Sequence, residues 1–203
     1  MTKHADPKEF RKLVADLRGC AVCASHLPQA PQPIFSVSPH ARLALISQAP
    51  GVRADRAGKP FADPSGVRLR EWMGVSEDEF YDPERLAITP MGFCFPGWDD
   101  KGGDLPPRRE CAPIWQKRIE AALPNIELSL LVGGYAQKFH LGKAARPTLT
   151  ETVAAWRDYL PRYLPLPHPS WRNNAWLKKN PWFEAEVLPE LRRRVRALME
   201  RPA

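Results

Sequence analysis

The residues with the clearest chemistry in this sequence are its four cysteines. Cys20 and Cys23 form a Cys-x-x-Cys pair, and Cys94 and Cys111 lie far downstream, at the two ends of a polar loop. A close pair of thiolates completed by two more is typical of a zinc site or an iron–sulfur cluster. The alternatives are four unconnected thiols or a Cys-x-x-Cys redox pair. Because zinc and iron–sulfur clusters both accept four cysteines, the spacing leaves the metal open.

A second segment with the features of a binding site follows an apolar run at residues 43–46. It reads SQAPGVRADRAGKPFADPSG over residues 47–66, with a Pro-Gly turn close to Gln48 and further turn signals beyond it. A buried strand that ends in such a turn is where α/β proteins often display functional groups. We therefore predict that this segment binds a ligand.

His168 is the histidine whose surroundings best suit chemistry. The chain has five histidines, and only His168 follows a short apolar stretch and directly precedes Pro-Ser. Such a residue can donate a hydrogen bond to a ligand, or it can serve only to stabilise a turn.

Composition predicts one globular domain, spanning residues 1–203, with 43% hydrophobic and 26% charged residues. No apolar window approaches the roughly 18 residues that a membrane span needs. The polar start of the chain does not resemble a secretory signal, so we expect a cytoplasmic protein that acts without a membrane. The net charge of +7 favours an anionic partner such as nucleic acid. Part of that charge lies in the arginine-rich segment 191–201, which could simply face solvent.

The spacing of apolar residues and the turn signals predict alternating strands and helices. Strands are predicted within 41–48, 86–93, 126–134 and 163–170, and helices within 6–20, 64–75, 111–123, 135–142, 148–161 and 180–199, with a turn or short helix at 77–86. This alternation predicts an α/β fold: a three-layer αβα sandwich with a central, mostly parallel sheet. Ligands of such sheets bind beyond the carboxyl ends of the strands, which here are residues 48–51, 89–93 and 168–170.

Several of these motifs, taken in order, resemble those of one protein family. SQAPGVRADRAGKPF is similar to a first motif that reads Gly-Glu-Ala-Pro-Gly and continues to Gly-x-Pro-Phe; LLVGGYAQKFHLG is similar to a core strand and helix, and PLPHPSWRN to a final His-Pro-Ser motif. The cysteines fall where that family has its cluster ligands. Over nearly its full length the chain therefore resembles the uracil-DNA glycosylase superfamily, and within it the iron–sulfur enzymes of families 4 and 5.

The resemblance implies a fold, an activity and partners. Enzymes of this superfamily flip a base out of DNA and hydrolyse its N-glycosidic bond, in base excision repair. A uracil-DNA glycosylase-like fold is implied, acting as a monomer on single- or double-stranded DNA that carries a deaminated base. The implied cofactor is a 4Fe–4S cluster, with zinc as the less favoured alternative, held by Cys20, Cys23, Cys94 and Cys111.

The resemblance also implies roles for individual residues. His168 would donate a hydrogen bond to the departing base, and Phe61 would stack against that base. Trp171 would be a wedge between bases, or would instead pack on Trp176. Further residues implied to contact the base are Gly51, Thr89 and Met91, and those implied to contact DNA are Ser170, Trp171, Arg172 and Asn173.

One departure from the family pattern concerns the group that handles water. Gln48 stands where family 4 has Glu, and an amide cannot accept a proton at neutral pH. Family 1 has Gln at this position with an Asp after it, but here Ala49 follows. If a carboxylate is needed, Asp63 is the first candidate and Asp55 the second; Asp63 could equally be only a helix cap.

A second departure concerns recognition of the base. Family 4 reads the uracil edge with an Asn four residues before its third cysteine, and here that position is Pro90. Backbone groups of residues 91–93 could substitute, so which base is removed stays open. The alternative function is a DNA-binding member of the superfamily with little or no glycosylase activity. A hydrolase of free nucleosides is a third possibility.

Overall fold

A four-stranded parallel sheet lies at the centre of the structure, a computed structural model that describes residues 6–201. The strands are β1 (Leu43–Ile46), β2 (Leu86–Ile88), β3 (Leu128–Val132) and β4 (Tyr163–Leu166), in the order β2-β1-β3-β4. Every pairing within this sheet is parallel, and an antiparallel bridge from Ser36 to Ile88 covers the outer edge of β2. The prediction of a mostly parallel sheet is therefore confirmed.

Helices flank this sheet and connect its strands. The α-helices are α1 (Pro7–Arg18), α2 (Val52–Ala57), α3 (Pro64–Met73), α4 (Glu77–Tyr81), α5 (Cys111–Ala122), α6 (Gly134–Leu141), α7 (Leu149–Ala154), α8 (Asn174–Lys179) and α9 (Leu188–Met199). Short 3-10 turns span Ala24–His26, Gly142–Ala144, Trp156–Tyr159 and Trp171–Asn173, and a π-helical turn spans Phe183–Val187. None of the helices in the described residues is long and apolar enough to cross a bilayer.

The side chains of the strands alternate between two cores, as expected for a sheet covered on both faces. On one face, Leu43, Leu45 and other strand residues pack with α3 and α9 in a cluster that includes Trp72 and Phe183. On the other face, smaller residues such as Ala44 and Ala87 adjoin the apolar sides of α1, α5 and α6. This arrangement confirms the predicted αβα sandwich.

The arginine-rich C-terminal helix α9 is attached to the end of α3. Arg192 donates hydrogen bonds to the carbonyl oxygens of Trp72 and Glu71, and Arg196 donates to that of Gly74. These carbonyls belong to the C-terminal turn of α3, where helices lack internal hydrogen-bond partners and favour cations. The arginines at these two positions therefore hold α3 against α9.

Some elements differ from those predicted. Residues 171–179 form a 3-10 turn followed by α8, where a loop was expected, and residues 52–57 form α2 within the binding segment. The predicted helix over 148–161 changes to a 3-10 turn after Ala154. The predicted C-terminal helix over 180–199 contains a π-helical turn before α9, next to Pro189, which lacks the N–H needed to continue a regular helix.

Candidate active site

A cavity of about 750 Å³ opens at the carboxyl edge of the sheet. Its walls come from the segments that follow β1 and β4, from the residues just before α3 and from the loop between Cys94 and Cys111. Two of the three predicted strand ends therefore meet as expected. The third, after β2, contributes only Pro90 to the lining.

Gln48 and Gly51 line the cavity on the turn that follows β1. The turn is fixed to the neighbouring segment, because the N–H groups of Met91 and Gly92 donate to the carbonyl oxygens of Ser47 and Gln48, both at 2.8 Å. Gln48 is therefore held by its backbone at the cavity wall.

Thr89 and Met91, which the resemblance implied as base contacts, lie outside the lining of the cavity. Both side chains are buried, and Thr89 borders a separate small space beside Gln116 and His140. Their N–H groups are already hydrogen-bonded, to the carbonyl oxygens of Leu45 and Ser47. The strand end was predicted correctly, but these two side chains point away from the cavity that it borders.

Phe61 contributes an aromatic surface to the cavity and also belongs to the core. Its side chain is only 8% exposed, and its ring packs edge-on against Phe80 at a centroid distance of 5.9 Å. The backbone of Phe61 has a φ of +56°, which is uncommon for a residue with a side chain. Gly66 makes this possible, since a Cβ there would overlap the carbonyl oxygen of Phe61. Such strain is often found at functional sites.

His168 lines the cavity, and its surroundings determine both which ring nitrogen carries the proton and the charge of the ring. The N–H of Ser170 donates to its Nδ1 at 3.2 Å, so in the neutral ring Nε2 carries the proton. Burial lowers the pKa of His168 below its ordinary value, and the nearby charge of Asp63 opposes that shift. At neutral pH the side chain is therefore an uncharged hydrogen-bond donor. Gly133 has a φ of +88°, which favours glycine, and a Cβ at this position would lie 3.8 Å from the Cβ of His168.

The loop after His168 is held by its own polar groups. Asn173 donates from Nδ2 to the carbonyl oxygen of His168 at 2.7 Å, and Arg68 donates to that of Ser170 at 3.2 Å. The Ser170 hydroxyl accepts from the N–H of Arg172. These bonds leave Trp171 71% exposed at the rim of the cavity.

Trp171 and Trp176 have separate surroundings. Trp176 donates to Thr150 and packs against Trp182 and Phe183. The guanidinium of Arg172, by contrast, lies 6.0 Å from the centre of the Trp171 ring. Of the two possibilities weighed for Trp171, this arrangement favours an exposed side chain that is free to contact a ligand.

The acidic residues near the cavity differ in their surroundings. Asp63 lines it and caps α3, accepting from the N–H of Gly66 at 3.0 Å. Asp55 is buried against Gln29, outside the lining. Asp104 also lines the cavity, and the motifs did not single it out. The only sequence signal for Asp104 is its place in the polar loop between two cysteines.

That loop contains a small hairpin, residues 97–105. The N–H of Asp99 donates to the carbonyl of Gly103 at 2.7 Å, and the N–H of Leu105 donates to that of Gly97 at 2.9 Å. The side chain of Trp98 packs on Phe95 and is 49% exposed at the rim of the cavity. The hairpin therefore forms part of the wall and rim of the cavity.

The four cysteines are unpaired thiols that lie close enough for their charges to interact. Burial, together with the charges of the other three, raises the pKa of Cys94 to about 12, and burial likewise raises that of Cys111 to about 11. Backbone N–H groups of Gln32 and Phe93 hydrogen-bond to these two sulfurs. Within residues 6–201, no three Cys, His, Asp or Glu side chains are already arranged to hold a metal ion. Thiol is nevertheless the donor type that both zinc sites and iron–sulfur clusters use.

A curated relative agrees with the resemblance seen in the sequence. Part of the chain is 22% identical to a type-4 uracil-DNA glycosylase of Sulfurisphaera tokodaii over 129 residues, which are 62% of this chain and 54% of the relative. The match thus spans about half the length of that curated protein. The solution NMR structure of a candidate uracil DNA glycosylase from Methanosarcina acetivorans aligns with 79% of this chain and 97% of its own, at 14% identity and a TM-score of 0.46.

The family comparison covers more of the molecule. The model of the uracil DNA glycosylase superfamily matches residues 35–192, a range that includes all four strands and the whole lining of the cavity except Ile34. The chain belongs to the uracil-DNA glycosylase superfamily.

Proposed function

We propose that this protein is a DNA glycosylase that excises uracil or a related deaminated base by hydrolysing its N-glycosidic bond. The observation that carries the proposal is the cavity in which the donor His168, the ring of Phe61 and the amide of Gln48 meet. A volume of about 750 Å³ lies in the range of small-molecule sites and accommodates an extruded nucleotide.

The proposed chemistry begins with the departing base. When the bond between N1 of uracil and C1′ of deoxyribose breaks, the electron pair stays on the base and negative charge develops on its oxygens. Neutral His168, with its proton on Nε2, donates a hydrogen bond to that charge. The ring of Phe61 supplies the surface on which the flipped base stacks.

Water completes the reaction at the sugar. In the proposal, the Gln48 amide orients the attacking water, and the carboxylate of Asp63 places a negative charge near the sugar cation that forms. Asp63 fits this role because its Oδ1 is fixed by the N–H of Gly66 at the wall of the cavity. Gly51 forms the floor under the base.

The DNA itself would lie across the rim of the cavity. Exposed aromatic residues are concentrated there, on three different segments of the chain, and bases stack well on such side chains. Arg172 is positioned to meet phosphates, and Ser170 and Asn173 support the loop from which it projects. The exposed aromatic residues of the rim are Trp98, Tyr135 and Trp171.

A cluster would serve as a structural brace in this proposal. Cys20, Cys23, Cys94 and Cys111 would hold a 4Fe–4S cluster, with zinc as the alternative, and either centre would supply bonds that tie distant segments together. The segment after α1 would thereby be fixed to the loop that carries the hairpin 97–105. The protein is expected to act as a single domain and as a monomer.

The direct test is an abasic-site assay on short single- and double-stranded DNA containing uracil, hypoxanthine or xanthine. Strand breaks after alkali treatment are the expected result. The ranking of bases would show which base the site recognises when Pro90 stands at the position of the family 4 Asn. Visible absorbance and iron and zinc content, measured first, would separate the two metals. DNA without a deaminated base is the matched control, and the absence of breaks on every substrate would contradict the proposal.

A DNA-binding protein without turnover is the second candidate. It is favoured by Pro90 and by the hydrogen bonds that already occupy the N–H groups of Met91 and Gly92, because these leave few groups to read a uracil edge. Tight, salt-sensitive binding without any base release would support this candidate.

A further inference from the structure

Two carboxylates line the cavity among the residues that the structure describes, those of Asp63 and Asp104. Asp63 is the N-cap of α3 and accepts the N–H of Gly66. Asp104 lies outside every motif that carries the family resemblance. Within residues 6–201, no donor hydrogen-bonds to its carboxylate and no cation forms an ion pair with it. A carboxylate in this state is available to bind water or substrate.

Asp104 lies directly against the turn that carries Gln48. Its Oδ2 is 3.0 Å from the place where a Cβ of residue 51 would be, a distance available only because residue 51 is glycine. The carboxylate thus lies at the segment that carries a Glu in family 4. It offers the proton acceptor that Gln48 and Ala49 lack.

The hairpin 97–105 fixes this position. Trp98 and Asp104 form an antiparallel bridge, and the adjacent N–H of Leu105 donates to Gly97. The carboxylate of Asp99 closes the far end by accepting from the N–H groups of Lys101 and Gly103 at 2.9 and 2.8 Å. Asp104 is therefore held by the backbone of a tight hairpin rather than by its own side chain.

The surroundings of Asp104 favour its use as a base. Asp104 as a whole is exposed, but partial desolvation of its carboxyl raises the pKa of that group above the usual value. The charge of Arg172 acts against this shift, and those of Asp63 and Asp99 act in the same direction. A carboxylate with a raised pKa accepts a proton from water more readily than an ordinary one.

We infer that Asp104 is a catalytic residue that binds the attacking water together with Gln48 and removes its proton. This inference rests on the proposed glycosylase function. As the water oxygen bonds to C1′, the N-glycosidic bond breaks and its electron pair leaves with the base. The water proton passes to Asp104 and from there to solvent, and the base anion held by His168 takes a proton from solvent.

The test compares Asp104→Asn with Asp100→Asn in single-turnover assays on uracil-containing DNA. Asp100 is exposed in the same hairpin and does not line the cavity, so its change removes the same charge without touching the site. We expect Asp104→Asn to lower the rate roughly 10²–10⁴-fold, the usual contribution of a general base. Asp100→Asn should change it less than about 3-fold, as expected away from the site.

Two further measurements separate catalysis from structure. Asp104→Asn should bind uracil-containing DNA at least as tightly as the wild type, because a negative charge near phosphates is lost. On the acid side, the protonation of Asp104 should lower the rate of the wild type and be absent from the profile of Asp104→Asn, whereas that of His168 should remain in both.

The outcomes distinguish failure of the role of Asp104 from failure of the proposed glycosylase function. A wild-type rate in Asp104→Asn overturns the role of Asp104 and leaves the glycosylase function intact. A slow variant that has lost DNA affinity, or that keeps both protonations, also overturns it. If the wild type releases no base from any DNA, the proposed function fails, and the inference fails with it.

Discussion

At the scale of single residues, the direction of one hydrogen bond determines what His168 can do. Because the N–H of Ser170 donates to Nδ1, a second proton on the ring would place two N–H groups against each other. Protonation would therefore weaken the loop that holds Trp171 and Arg172. The same bond that orients the donor also makes the site sensitive to acid.

We expect His168→Ala to lower the single-turnover rate roughly 10²–10³-fold, by analogy with the loss of an oxyanion-hole donor. Its effect on stability should depend on pH. Burial lowers the pKa of His168 in the folded state, so below about pH 6.5 the unfolded chain binds more protons, and acidification reduces the free energy of unfolding. Urea denaturation at pH 7.5 and 5.5 should show a larger loss in the wild type than in His168→Ala.

His40→Ala is the control for that experiment, since His40 is exposed and does not line the cavity. It should behave as the wild type at both pH values. A full rate in folded His168→Ala would exclude the donor role, and an equal loss of stability in both variants would exclude the link to pH.

The residues that line the cavity were only partly predictable from the sequence. Gln48, Phe61 and His168 were expected there because local motifs mark them, and all three line the cavity. Asp104 was missed because its contact with Gly51 depends on how a distant hairpin folds back, and no pattern near either residue records that contact. Thr89 and Met91 were assigned to the correct edge of the sheet, but the direction of their side chains is set by the packing around them.

At the scale of elements, α3 depends on a close approach between its first turn and Phe61. A Cβ at Gly66 would overlap the backbone of Phe61, so neither partner could move away by a simple change of rotamer. Strands and capped helices such as α3 were predictable, because apolar runs and caps are local signals. The helix α8 was not, since it is held by contacts of Trp176 with residues distant in sequence.

Gly66→Ala should therefore destabilise the protein by roughly 3 kcal/mol, the upper part of the usual range for overpacking. The matched control is Gly134→Ala at the exposed start of α6, where a Cβ would meet nothing within 4 Å. That change should be neutral or stabilise by up to about 1 kcal/mol, because alanine restricts the unfolded chain. Thermal unfolding of both variants would check this, and equal midpoints would contradict the close approach at Phe61.

At the scale of the whole molecule, the arginines that contribute to the net charge of +7 differ in whether they form ion pairs. On α9, Arg193 and Arg194 form ion pairs with Glu190, and Arg196 pairs with Glu79. Arg53 and Arg172, in contrast, line the cavity without an ion pair to any carboxylate of residues 6–201. The arginine-rich helix therefore contributes to the fold, while Arg53 and Arg172 are cations at the cavity whose charge is available to an anionic polymer.

This distribution predicts which arginines DNA binding requires. Removing a side chain that contacts a phosphate should weaken binding to all sequences and reduce the slope of log affinity against log salt by about 1. We expect that result for Arg172→Ala, whereas Arg193→Ala removes an equal charge from α9 and should leave both affinity and slope nearly unchanged. Binding to fluorescent single- and double-stranded DNA at several salt concentrations would measure both quantities. Equal losses in the two variants would mean that DNA responds to the overall charge of the molecule, and that the rim of the cavity has no special part in holding it.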